Sequence, residues 1–157
     1  GQNGFYISSK LCSEVLADNY KQFMDVIILR LFFVYGKKQK ANMLIPRLFA
    51  NIKKGVPIKL QGSNGLSLNP IHVSDVVSSV LAVLDLKGSY KINVAGPSVI
   101  TLKEICELIG NKVGVNPIFE YDMSSVPRHL VADITNMKKL LINPRVFLNQ
   151  GLEEMMN

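Results

Sequence analysis

The chain has 157 residues, 48% of them hydrophobic and 19% charged, which suits a folded globular domain and excludes a disordered or fibrous chain. Its formal net charge of +6 comes from fourteen lysines and only four arginines. They are scattered apart from Lys37-Lys38-Gln39-Lys40, which reads as a solvated loop rather than a nucleic-acid site. A modest positive field of this kind suits a phosphorylated small-molecule substrate.

Cys12 and Cys106 are the only cysteines and lie far apart. They have no metal-type spacing and read as two free thiols of a reducing compartment. No leader-type segment is visible, and no apolar run is long enough to span a bilayer. The expectations are therefore no metal, no membrane, no nucleic acid and a cytoplasmic location.

A short polar lead, Gly1-Gln2-Asn3-Gly4, precedes a predicted helix over residues 6 to about 22. Leu11, Val15 and Leu16, with Cys12, form its apolar stripe, and Glu14 and Asp18 lie outside it. The helix opens on Tyr6-Ile7-Ser8-Ser9-Lys10. At about 1.5 Å of rise per residue, a tyrosine and a lysine four apart share one face about 6 Å apart. An ammonium there stabilises the phenolate, so the phenol can give or take a proton as an alcohol is oxidised or a ketone reduced. Taken alone, the pair also reads as an exposed Tyr–Lys contact on a solvated face.

Residues 26–34, Val-Ile-Ile-Leu-Arg-Leu-Phe-Phe-Val, predict one strand buried on both faces of a parallel sheet. Arg30 inside it requires a partner. A second helix is expected over 43–54, capped by Gly55, then a strand at 57–60 running into an Asn-Gly turn at 62–65. Ile71-His72 is extended, and Ser74 is the expected N-cap of a helix over about 75–86. Tyr90–Val94 is the next strand, and strand, crossover helix and strand make a parallel unit. Thr101-Leu-Lys-Glu104 is a capping box for a helix to Ile109, closed by Gly110, with Ile100 and Ile105 as its staple. Pro117–Tyr121 is a strand, Asp133 caps a helix through Leu141, and residues 148–156 form a last amphipathic helix.

The order of these pieces resembles the C-terminal half of an extended short-chain dehydrogenase/reductase, and more narrowly the NAD-dependent epimerase/dehydratase family acting on nucleotide sugars. The resemblance covers nearly the whole chain. It rests on Tyr6-x-x-x-Lys10, then Leu29-Arg30-Leu31-Phe32-Phe33-Val34-Tyr35-Gly36, Ile45-Pro46-Arg47, Ile71-His72-Val73-Ser74-Asp75-Val76, Asn93-Val94, and Pro127-Arg128 followed by Asp133.

The resemblance implies an α/β fold: a partial Rossmann-type parallel sheet plus a small α/β substrate-binding lobe. Residues 1–36 and 71–98 would be the remainder of the dinucleotide-binding domain, and 37–70 and 99–157 the substrate lobe. It implies Tyr6 as general acid/base and Lys10 as its helper and a ligand of the nicotinamide ribose. Phe33 and Val34 would lie against NAD or NADP, and Phe33, Arg47 and Arg128 would contact the nucleotide-sugar substrate. His72 and Asp75 would be structural, tying strand to helix. With the first half missing, the 26–34 strand would be a long apolar edge. The first helix, which in relatives contributes to a dimer interface, would lose part of its packing, so a homo-oligomer is expected, with swapping as one route.

Two positions depart from the family pattern. Phe33 stands where many relatives carry asparagine, and Leu68-Asn69-Pro70 stands where many carry an arginine for the diphosphate. The glycine-rich phosphate loop does not occur in the sequence, so a C-terminal fragment without NAD binding or turnover of its own is expected. A noncatalytic nucleotide- or sugar-phosphate-binding module, or a remnant acting through assembly, is the alternative.

Overall fold

The computed structural model describes residues 4–156. Helix α1 (Gly4–Asp18) runs into a short 3-10 turn at Asn19–Gln22, and strand β1 (Ile27–Leu31) follows. The expected single strand over 26–34 is split. After β1 the chain breaks at Phe32-Phe33 and resumes as β2 (Val34–Tyr35). The cause is Phe33, whose φ of 43° lies in the left-handed region, so the ladder cannot run straight through it. Nor is β1 buried on both faces: Ile27 to Leu29 are half-buried, and Arg30 and Leu31 are exposed.

The remaining elements are α2 (Leu44–Lys53), β3 (Ile58–Gln61), β4 (Ser67–Leu68), β5 (Ile71–His72), α3 (Val73–Val83), β6 (Tyr90–Val94), β7 (Ile100–Thr101), α4 (Leu102–Val113), β8 (Phe119–Asp122), α5 (Thr135–Leu140) and α6 (Leu148–Met156). Among the described residues the strands pair in twos. β1 with β6, β2 with β5, and β3 with β8 are parallel, while β4 with β7 is antiparallel. The chain is thus α/β with parallel strands joined by helical crossovers.

Two apolar clusters form the core. One gathers Ile45, Leu48 and Ile52 of α2 with Leu60, Leu68, Ile105, Ile109 and Leu152. The other gathers Ile71, Val76, Ile92, Val94 and Met137 under the β1–β6 pair.

Three helix ends differ from expectation. The cap of α3 is His72, not Ser74. The imidazole Nδ1 faces the Ser74 backbone N–H at 3.4 Å and the Ser74 hydroxyl at 2.8 Å, and the helix starts at Val73. Gly110 does not close α4. It sits buried inside the helix because a Cβ there would lie 2.7 Å from Pro117 Cδ and from the Val115 carbonyl. Gly114, with φ 70°, ends the helix instead. Asp133 lies just outside α5, where its Oδ1 accepts from the backbone N–H and hydroxyl of Thr135 at 2.9 and 2.6 Å. The capping box of α4 forms as its sequence specifies, with Thr101 and Glu104 bonding reciprocally.

Candidate active site

Helix α1 sets one face against β1. Tyr6, Lys10, Ser13 and Glu14 line a cleft of about 590 Å³ whose other wall is Ile27 to Leu31. The Tyr6 side chain is two-thirds exposed, at 66%. The Lys10 ammonium lies 5.4 Å from the centroid of its ring, a distance at which a cation is attracted to the ring face. The helical spacing therefore brings the two together in a solvent-reachable groove.

One turn further along the same face, Glu14 answers what the sequence left open about Arg30. Arg30 Nε donates to Glu14 Oε1 at 2.8 Å and Nη2 donates to Oε2 at 2.6 Å. This bidentate fork is the strong form of an ion pair. The guanidinium hydrogen bond holds the Glu14 carboxyl below the usual carboxylate range. Lys91 of β6 donates to Asp18 and so ties the end of α1 to the sheet, holding the Asp18 carboxyl low as well. No residue of α1 is buried, so these charges are its main link to the sheet.

Phe33 and Val34 do not line the Tyr6 cleft. They wall a separate, mainly apolar cavity of about 270 Å³ together with Gln39 and Met43. Arg47 on α2 and Arg128 in the loop after β8 are both exposed, and neither lines the Tyr6 cleft or the Phe33 cavity. Asp75 is buried, and its Oδ2 accepts the backbone N–H groups of Arg145 and Val146 at 3.0 Å each. That carboxylate is thereby a latch between α3 and the segment before α6. His72 is occupied as a helix cap, with its ring edge-on to Tyr35 at 5.3 Å between centroids.

Gln39 was not legible as a site residue. It sits inside the lysine run, and only the fold turns its amide toward Val34, where Nε2 donates to the carbonyl at 2.7 Å. Cys12 is exposed and Cys106 is buried, both as free thiols, and burial pushes the Cys106 thiol up to about 12. Among the described residues no group of three His, Cys, Asp or Glu side chains is placed to hold a metal ion. Among the described residues no helix is long and apolar enough to cross a membrane.

The family model described as NAD dependent epimerase/dehydratase family matches residues 1–95. The uncharacterized UDP-glucose epimerase YtcB of Bacillus subtilis (strain 168) is 30% identical over 155 residues, covering 94% of this chain and 49% of that protein. The crystal structure of UDP-glucuronic acid 4-epimerase from Bacillus cereus in complex with UDP-glucuronic acid and NAD has a TM-score of 0.80 at 26% identity, over 94% of this chain and 50% of that one. The structure of dTDP-glucose 4,6-dehydratase from Bacillus anthracis in complex with NAD also has a TM-score of 0.80, at 28% identity, over 96% and 50%. The chain spans about half the length of the curated relatives it matches.

Proposed function

Because this chain belongs to the NAD dependent epimerase/dehydratase family, we propose that it is the catalytic and substrate-binding portion of an NAD(P)-dependent nucleotide-sugar epimerase/dehydratase. Tyr6 is its general acid/base and Lys10 its helper. The observation that carries this reading is the cleft in which both side chains stand on one face of α1, opposite β1.

The residues present fit the nicotinamide-ribose end of the cofactor. A phenol hydroxyl and an ammonium, both facing solvent on one helix face, can hydrogen-bond ribose hydroxyls and still meet a sugar. The pyrophosphate end calls for a glycine-rich strand-to-helix turn, which these 157 residues do not contain. NAD or NADP, when bound, supplies hydride acceptance and return at the sugar carbon.

The rest belongs to the chain. Tyr6 Oη takes the proton of the sugar hydroxyl as that carbon is oxidised, and gives a proton back to the carbonyl oxygen on reduction. The Lys10 charge stabilises the phenolate between these steps. Phe33 and Val34 border the nicotinamide. Arg128 pairs with the diphosphate, for which a guanidinium fork is well shaped, and Arg47 contacts the substrate.

Residues 1–36 and 71–98 form the cofactor-side lobe and 37–70 and 99–157 the substrate lobe. The two apolar clusters follow that division in part: Met137, with Ile134, Leu140, Leu141 and Ile142, packs with the first lobe, and Tyr35 and Phe33 pack with the second. The half-exposed β1 and the solvent-facing Leu11, Val15 and Leu16 of α1 support self-association. A sharp monomer in sedimentation at micromolar concentration would refute it.

The test of the acid/base assignment is Tyr6→Phe in the full-length protein. Turnover should fall about 100-fold or more, with the nucleotide-sugar KM changed only slightly. Unchanged turnover overturns the assignment. The apolar wall formed by Phe33 favours the second reading, a noncatalytic nucleotide- or sugar-phosphate-binding module, and that reading gains if the wild-type protein binds such ligands without turnover.

A further inference from the structure

Tyr6, Lys10 and Glu14 stand four residues apart on the face of α1 that lines the cleft. A lysine and a glutamate at that spacing are neighbours on a helix and ordinarily attract each other. Here they do not meet. Glu14 Oε2 lies 2.6 Å from Arg30 and 3.9 Å from Lys91, and among the described residues Lys10 takes part in no ion pair. The Lys10 ammonium lies instead 5.4 Å from the centroid of the Tyr6 ring.

Arg30 supplies the reason. Its Nε and Nη2 donate to the two oxygens of Glu14, at 2.8 and 2.6 Å, and a fork of this kind fixes the carboxylate's direction as well as its charge. Only 17% of the Glu14 side chain is exposed, so water screens the pair weakly. Lys91 of β6 is already held by Asp18, and Lys21 of the 3-10 turn pairs with the same aspartate at 2.9 Å. The charges facing the cleft and its far end are therefore Lys10, Glu14 and Asp18 of α1, Lys21, Arg30 of β1 and Lys91. With the guanidinium in place Glu14 is neutralised, and the Lys10 charge acts on the phenol. Without it, a bare carboxylate one turn from Lys10 would draw the ammonium away from Tyr6 and cancel its charge.

We propose that Arg30 is a positioning residue of the acid/base pair: by occupying both oxygens of Glu14 it keeps the Lys10 ammonium beside the Tyr6 phenol. Its consequence for turnover rests on the acid/base reading of the cleft, while the placement of the charge is measurable without that reading.

The experiment follows ionisation of the Tyr6 phenol by ultraviolet absorbance in the full-length protein, as the difference between each protein and the same protein carrying Tyr6→Phe. Wild type, Arg30→Gln, Glu14→Gln and the double variant are compared. Arg30→Gln should move the phenol's titration to higher pH by about half a unit or more, the effect of losing one unit charge at about 5 Å in watery surroundings. Glu14→Gln breaks the same fork and loosens α1 as much, but leaves no carboxylate to draw Lys10 away, so the titration should not rise. The double variant should match Glu14→Gln. The acid limb of the pH–turnover profile should move up with the phenol in Arg30→Gln, about a threefold loss at a given pH on that limb.

An equal rise in Arg30→Gln and Glu14→Gln would mean that the fork only docks the helix, and the proposal fails. No rise in Arg30→Gln, or a double variant that stays with Arg30→Gln, overturns it as well. Full turnover in Tyr6→Phe overturns the acid/base reading alone and leaves the titration to decide the role of Arg30.

Discussion

Helices α1 and α4 follow the same local rules and are held in opposite ways. α4 buries Ile105, Cys106, Ile109 and Gly110 against α2, the β3–β8 pair and α6, and its first turn is closed by a reciprocal capping box. α1 buries nothing. Its polar face meets the cleft, its apolar residues face solvent, and an ion ladder through Glu14, Arg30, Asp18 and Lys91 docks it on the sheet. Burial makes one helix insensitive to its medium. Docking by half-exposed charges leaves the other, which carries Tyr6 and Lys10, sensitive to salt and acid.

That contrast can be broken by mutation. Ile109→Ala should cost about 2–5 kcal/mol, as a fully buried large-to-small change does, read from the denaturant midpoint. A smaller loss would mean that α4 is not the anchor. Gly110→Ala should cost about 1–3 kcal/mol, because its new Cβ meets Pro117 and Val115. Thr101→Ala should cost about 1 kcal/mol through loss of the cap, in the same assay.

Arg30→Gln should leave the global midpoint nearly unchanged and speed amide hydrogen exchange along α1. Unaltered exchange in α1 would show that the ladder does not hold the helix. Acid should act on the same helix. The carboxyls of Glu14 and Asp18 titrate below their ordinary values. Their contribution is therefore complete above the ordinary carboxylate range and is lost as pH falls through the lowered values. Exchange in α1 should rise below about pH 4 before the amides of α4 respond. Simultaneous loss of both would dissolve the distinction.

Much of the fold was legible because it depends on near neighbours. The capping box needs only Thr101 and Glu104, and the shared face of Tyr6 and Lys10 needs only helical spacing. Gly110 misled because a glycine after an apolar periodic run reads as a stop, while its actual reason is contact with Pro117. The run at 26–34 misled because composition is blind to the backbone turn at Phe33. Of the candidate site residues, Tyr6 and Lys10 came together as their spacing implied, while Phe33 and Val34 line a second cavity. Arg47 and Arg128 face solvent outside both.

By itself the sequence determined that most of the helices form and that a phenol and an ammonium share one face, since those choices are made within a turn or two of chain. Tertiary structure alone decided that Ile58 lies beside Phe119, that Arg30 finds Glu14, and that the Gln39 amide donates to the Val34 carbonyl. Those outcomes depend on which distant surfaces must be hidden together and which buried polar groups find partners, and no local pattern records them.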